Sequence, residues 1–304
     1  MSFVLRVTGV SRATWYMHRR KETSQRDYDM THLRGRPAPG YTVNRDGTVI
    51  MDSTLVSVLR GYRQRPEYAN GGGVDKLRHY LMRDHGFYVN RKKIYRICRE
   101  NGLLLEKRGV KGRHKGSFVN RNHVVRRPNQ LWEFDIKYGY IHGERRFFFV
   151  LAFVDVYSRK CVGRYVGLSC RKWDLCVTLR ESLFRESVTP ENELIIRSDN
   201  GPQMRSNQFH QYLEKLEQEL SHEFIPIQTP NKDAHVESFF SILEMEFFRV
   251  RYFHSFADAY EQTHAFIDFY NETRIHGSIG MKSPAEIVTL WKNNQKVNVQ
   301  PVRL

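Results

Sequence analysis

Three strand-like segments follow one another between residues 131 and 167, and they constrain the fold more than any other feature of the chain. Leu131–Ile141 alternates, with Trp132, Phe134 and Ile136 on one face and Glu133, Asp135 and Lys137 on the other. Arg145–Val156 is aromatic and continuous, as a central strand buried on both sides would be, and Lys160–Gly167 reads as a third strand. His142-Gly143-Glu144 and Ser158-Arg159 mark the two turns. Beyond them the pattern predicts a helix over Arg171–Glu186, a strand over Glu193–Ser198 and a helix over Asn207–Leu220. A short strand near Glu223–Ile227 and a helix over Ala234–Arg249 follow. Antiparallel strands succeeded by alternating helices and strands predict a mixed α/β domain with its sheet covered by helices. Residues 256–292 read as helical and peripheral. The longest apolar run, Phe147–Val154, has eight residues, too short to cross a bilayer.

The upstream part of the chain is different in kind. Residues 1–128 hold 28 Lys and Arg against 10 Asp and Glu, whereas residues 129–304 hold 21 against 23. A basic module joined to a nearly neutral one suits a polyanion partner, because neutralised phosphates release their counterions. Residues 1–20 read as helix, turn, helix, with Ser11 as a cap and Arg12 in the second helix. Residues 21–50, broken by Arg36-Pro37-Ala38-Pro39-Gly40, read as a linker. Residues 51–106 carry a helix over about Ser53–Tyr62 and then a helical pair, Val74–Arg83 and Asn90–Asn101, joined by Asp84-His85-Gly86. In the last of these helices Ile94, Ile97 and Cys98 form an apolar stripe, while Lys92, Arg96 and Arg99 fall on another face beside Arg91 and Lys93. One anchored face and one cationic face is what a recognition helix in a major groove requires. Residues 107–127 are basic and without helical period, an extended connector. Cys98, Cys161, Cys170 and Cys176 form no paired spacing, which argues against a disulfide scaffold and fits a reducing cytoplasm. Residues 1–20 have no apolar signal core.

Three acids stand out by position. Asp135 lies on the strand face opposite the aromatic stripe, and Asp199 closes a strand before Asn200-Gly201-Pro202. Glu237 lies one turn into a helix whose apolar stripe is Val236, Phe239/Phe240, Leu243 and Phe247, so it points beside the core. Carboxylates converging from two strands and a helix would bind Mg²⁺ or Mn²⁺, and two such ions can drive in-line phosphoryl transfer. Each acid alone has a plainer reading: a solvent-facing strand residue, the start of an Asp-Asn-Gly turn, one acid on an exposed helix.

In combination the residues resemble a known family. Leu131-Trp132-Glu133-Phe134-Asp135-Ile136 resembles the Trp-x-x-Asp strand of the retroviral-integrase-like DDE transposases, and Phe153–Lys160 their turn between the second and third strands. Ser198-Asp199-Asn200-Gly201-Pro202-Gln203 is similar to their second-aspartate motif, and Pro230–Phe240 to their glutamate helix. Tyr270-Asn271, Arg274, His276 and Ser283-Pro284 resemble their closing segment. The nearest likeness is to the catalytic product of two-frame, copy-out bacterial insertion sequences, whose helix-turn-helix region is echoed by Gly73–Leu104 and more weakly by Val4–Arg19.

The resemblance implies a ribonuclease H-like core, a mixed five-stranded sheet with flanking helices over residues 128–252. Small all-α helix-turn-helix domains would precede it, and a helical extension over 253–304 would follow. It implies a DDE triad of Asp135, Asp199 and Glu237 with two Mg²⁺ or Mn²⁺ ions. Strand cleavage at element ends and direct attack by a 3′-hydroxyl follow from this. So does a homo-oligomer working on paired DNA ends and target DNA in a bacterial cytoplasm. Asp155 matches a structural position of the family.

Two departures bear on this. Thirty-seven residues separate Asp199 from Glu237, slightly more than is usual, and the polar stretch Gln218–Glu223 would absorb the excess as a loop. Glu244 stands where the family has a basic residue aimed at DNA, which makes it a rival third carboxylate. His235 and His276 lack the spacing of a zinc site; His276 would touch DNA, orient a carboxylate or simply pack. The competing functions are a DNA-binding regulator with an inactive core, supported by the basic half and Glu244, and a simple metal-dependent nuclease.

Overall fold

Leu131–Ile141 is a strand along the whole of its expected length, and both of its faces are covered over its first four residues. The computed structural model describes residues 39–105, 124–189, 193–199, 212, 213, 216, 220–224, 234–297, 299 and 301–303. The helical pair expected at 1–20, with Arg12, lies outside them, as do most of the connector at 107–127 and of the helix expected over Asn207–Leu220. In chain order the elements are β1 (Tyr41–Val43), β2 (Val49–Met51), α1 (Asp52–Gln64), α2 (Pro66–Ala69), α3 (Val74–His85), α4 (Arg91–Glu100), β3 (Val124–Val125), β4 (Leu131–Ile141), β5 (Arg146–Asp155) and β6 (Cys161–Gly167). There follow α5 (Lys172–Arg185), β7 (Leu194–Ser198), β8 (Leu220–Phe224), α6 (Ala234–Glu246), α7 (Phe256–Glu272), α8 (Pro284–Lys292) and β9 (Val302–Arg303).

Five strands form one sheet in the order β6-β5-β4-β7-β8. β4, β5 and β6 pair antiparallel, while β7 runs parallel to β4 and β8 parallel to β7. On one face Trp132, Phe134, Leu151 and Phe153 pack against Leu175, Leu179 and Leu183 of α5. On the other, Val150, Ala152 and Val154 meet Val236, Phe239, Phe240 and Leu243 of α6 and Phe266, Ile267 and Tyr270 of α7. This is the ribonuclease H-like arrangement, a mixed five-stranded sheet with flanking helices, with a helical region before it. Gly163 on β6 lets α5 approach, since a Cβ there would lie 2.0 Å from the Ser182 hydroxyl.

Several expectations need correction. Residues 256–292 are helical but not peripheral: α7 presents a face broad enough to enter the main core, with Ile267 fully buried. The proposed linker contains the β1/β2 hairpin, where β-branched residues flank the turn Asn44–Thr48 and Gly47 takes φ 84°. The Asn44 side chain anchors it, donating to the Gly86 carbonyl and accepting from the Tyr88 amide at 3.1 Å each. The last strand of the sheet begins at Leu220, three residues before its expected start, so Leu220-Ser221-His222-Glu223 is an edge strand rather than an absorbing loop. Its charged Glu223 disguises it, and that carboxylate in fact meets the buried Arg197 guanidinium at 3.0 Å. The chain after α8 also returns to the start of the core, since β9 pairs with β3.

In the helical region, Ile94, Ile97 and Cys98 are buried with Leu55, Leu59, Leu77 and Leu81. Ile275 from the far side of the core joins this cluster, and residues 42–304 form one compact unit. Beside this junction a buried ion pair ties the end of α6 to the segment after α7. Arg274 Nε and Nη2 donate to the two oxygens of Glu246 at 2.7 and 2.8 Å, with both side chains almost wholly out of solvent. Tyr80 accepts from the Ile275 amide at 3.5 Å, and Tyr68 meets Phe269 edge-on. Arg274→Ala strands the Glu246 charge and is expected to cost about 3–5 kcal/mol in denaturant unfolding. The double replacement Arg274→Met, Glu246→Leu is expected to cost much less, because no lone charge remains buried.

Candidate active site

The register of β4 against β7 places the two aspartates. Phe134 is paired with Ser198, so the next residue on each strand, Asp135 and Asp199, stands at the C-terminal end of this parallel pair. Neighbouring strands run about 4.8 Å apart, and ligands of such sheets gather beyond the strand ends. Asp135 is half-buried, its Oδ1 accepting from the Ile136 amide at 2.7 Å, whereas Asp199 is exposed. Glu237 is exposed in the first turn of α6, which lies over β4 and β5 on the Asp135 face.

The three carboxylates share one electrostatic environment. Burial first, and then the charges of Asp199 and Glu237, push the Asp135 carboxyl up to about 6 against the Ile136 hydrogen bond and Lys137. Three acidic oxygen donors, one of them desolvated among like charges, are the donor set that a hard divalent cation would relieve. They are not drawn into a tight cluster, for no group of three His, Cys, Asp or Glu among the described residues stands close enough to hold a metal ion.

Glu133 was not singled out from sequence, yet it is wholly buried on the same strand face. Its Oε2 accepts from the amides of His235 and Val236 at 2.8 and 3.0 Å, and its Oε1 accepts from His235 Nδ1 at 3.0 Å. A charged residue inside the alternating Trp-Glu-Phe-Asp run was the available signal. The remaining candidates fall as follows. Glu244 lies between Lys137 Nζ at 3.3 Å and Arg249 Nε at 3.1 Å, so its charge is taken up by cations. Asp155 is fully buried and accepts from Ser158 and Asn129, a clamp on the turn after β5. His276 is packed beside Arg274 and Tyr270 rather than presented to DNA, and burial, then the Arg274 charge, depress its pKa to about 2. Asn271 pairs through its side chain with both backbone groups of Cys161, and Ser283 caps α8.

Of the cations proposed on α4, Lys93 and Arg96 converge on Asp52 at 2.6 and 2.8 Å, and Arg91 meets Asp75 at 2.9 Å. Lys92 and Arg99 are exposed. No helix among the described residues is long and apolar enough to cross a membrane.

The raised Asp135 pKa has a consequence for stability without metal. A carboxyl protonated more readily in the folded state stabilises it fully below the unfolded value near 4, and the contribution is lost as pH rises through about 6. Asp135→Asn is therefore expected to raise metal-free stability at pH 7 by about 1–3 kcal/mol and to give no such gain at pH 4, read from urea midpoints.

Comparison with known proteins finds similar chains. Two family models, both described as integrase core domain, match residues 125–229 and 218–284. The chain is 24% identical over 223 residues to the transposase for insertion sequence element IS904 of Lactococcus lactis, covering 68% of this chain and 83% of that one. It is 28% identical over 225 residues to an uncharacterized 39.2 kDa protein of insertion element IS476 from Xanthomonas euvesicatoria, covering 73% of this chain and 62% of its relative. Among solved structures it is similar to a chain of the simian T-cell lymphotropic virus intasome in complex with PP2A regulatory subunit B56 gamma. That match has 15% identity, covers 79% of this chain and 78% of the other, and has a TM-score of 0.45. The protein belongs to the integrase-core transposases of bacterial insertion sequences, enzymes of the polynucleotidyl transferase type.

Proposed function

We propose that Asp135, Asp199 and Glu237 are the catalytic carboxylates, and that they work on the ends of the element that encodes the chain. The observation that carries this is the Asp135 carboxyl, desolvated and raised by the other two charges. Mg²⁺ or Mn²⁺ bound there, as two ions, would activate the attacking oxygen and stabilise the leaving one. The chain's own part is positional: β4 and β7 hold two carboxylates side by side, and α6 brings the third across from the covering layer. In the first reaction water attacks a phosphodiester at the element end. The bond from phosphorus to the 3′-oxygen breaks, and that oxygen takes up a proton. In the second, the freed 3′-hydroxyl loses its proton and attacks a phosphodiester of target DNA. One P–O bond forms as another breaks, so no nucleotide cofactor is consumed and no covalent enzyme intermediate is required.

The exposed Lys92 and Arg99 of α4 supply phosphate contacts in this reading, with Arg91, Lys93 and Arg96 reaching DNA from their acid partners. Arg12 belongs to the proposed contact set through the sequence pattern alone. The working form is a homo-oligomer on paired ends in the bacterial cytoplasm. The regulator reading rests on the basic half and on Glu244, and of these Glu244 is held between Lys137 and Arg249.

Purified protein with Mg²⁺ and its own element ends is expected to cleave and join strands. Asp199→Asn is expected to lower both rates at least a thousandfold while end binding holds within twofold. Wild type that binds ends but never cuts supports the regulator, and degradation of any duplex without joining supports the nuclease. Lys92→Ala is expected to weaken end binding several-fold and to reduce the slope of log K against log salt by about 1. An unchanged slope in titrations across salt removes α4 from the contact surface.

A further inference from the structure

The glutamate helix is capped from the strand that carries Asp135. Helix starts leave their first amides without partners, and a local Ser, Thr, Asp or Asn usually satisfies one of them. Here the acceptor is Glu133, 102 residues earlier, whose carboxylate takes the His235 and Val236 amides and the His235 imidazole together. An anion is favoured at this end of a helix dipole, and the positive charge of half-buried Arg159 interacts with Glu133 as well.

Burying a carboxylate merely to satisfy two amides is a costly solution. What it achieves is a short rigid path between two functional acids. Glu133 and Asp135 are two residues apart on one strand face, roughly 7 Å along the strand. The Val236 amide and Glu237 are neighbours on α6, about 1.5 Å apart in helix rise. We propose that Glu133 is a positioning residue for cleavage and joining: its carboxylate fixes the first turn of α6, and with it Glu237, against the strand that carries Asp135. This rests on the assignment of those two acids as catalytic.

The test uses the full chain, Mn²⁺ alone as the metal probe and duplex DNA of the element ends. Glu133→Ala is expected to lower kcat and Mn²⁺ affinity roughly 10–100-fold, the range for residues that orient metal ligands. KM for DNA should stay within twofold, and hydrogen exchange should quicken at the His235 and Val236 amides. Glu133→Gln, whose amide oxygen can still accept both N–H groups, is expected to recover most of the loss. Glu133→Asp keeps the charge but is one methylene shorter; it is expected to fold and to lose about tenfold in kcat and in Mn²⁺ affinity. Wild-type kcat and Mn²⁺ affinity in folded Glu133→Asp overturn the proposal, even where Glu133→Ala fails to fold. Losses that merely follow the unfolded fraction in all three variants overturn it too. Glu237→Gln in the same assays separates the two readings. If it keeps full activity, the carboxylate assignment is at fault, whatever Glu133 does.

Discussion

A helix that presents an acid to solvent beside a sheet must be held by everything else it carries, and α6 is held in three ways. Val236, Phe239, Phe240 and Leu243 sink into the β4/β5 face. The Glu133 carboxylate secures its start, and the Arg274 guanidinium grips Glu246 at its end. Apolar burial alone resists sliding weakly, since it is non-directional. Charged hydrogen bonds at both ends add direction and register. The placement of Glu237 therefore depends on two polar contacts made by residues far from it in sequence.

The charge pattern follows the same logic. Where acids interact across the sheet, as at Asp135, burial and then repulsion raise the pKa. Elsewhere the acids are neutralised in place. Glu244 meets Lys137 and Arg249, Glu223 meets Arg197, and Asp52 gathers Lys93 and Arg96. These pairs are for the most part partly buried, and they fix side-chain direction as well as charge.

Much of the fold was legible in the sequence because strand alternation and helix periodicity report burial directly. β4, β5, β6 and α5 lie within a residue or so of their expected limits. Asp135 could be assigned a face and Asp199 a strand end by the same means. Features that depend on distant partners were not legible. The edge strand β8 is legible as a strand but three residues late, because its polar start reads as loop. α7 reads as peripheral because polar residues interrupt its apolar face, although Phe266 and Tyr270 complete the core. Alternation put Glu133 beside Asp135, but no local pattern could reveal that a helix 102 residues later would begin against it.

The route of the chain also has a temporal side. Asn271 closes onto Cys161 across 110 residues, and α7 fills the same cluster as β5 and β6. While the polypeptide is emerging from the ribosome, the sheet can form before the layer that seats α6 exists, since segments made first fold first. Glu237 gains its final support only when Arg274 has been synthesised and has reached Glu246. A nascent chain therefore seats Glu237 only after a further stretch of polypeptide has been made, well behind the acid itself.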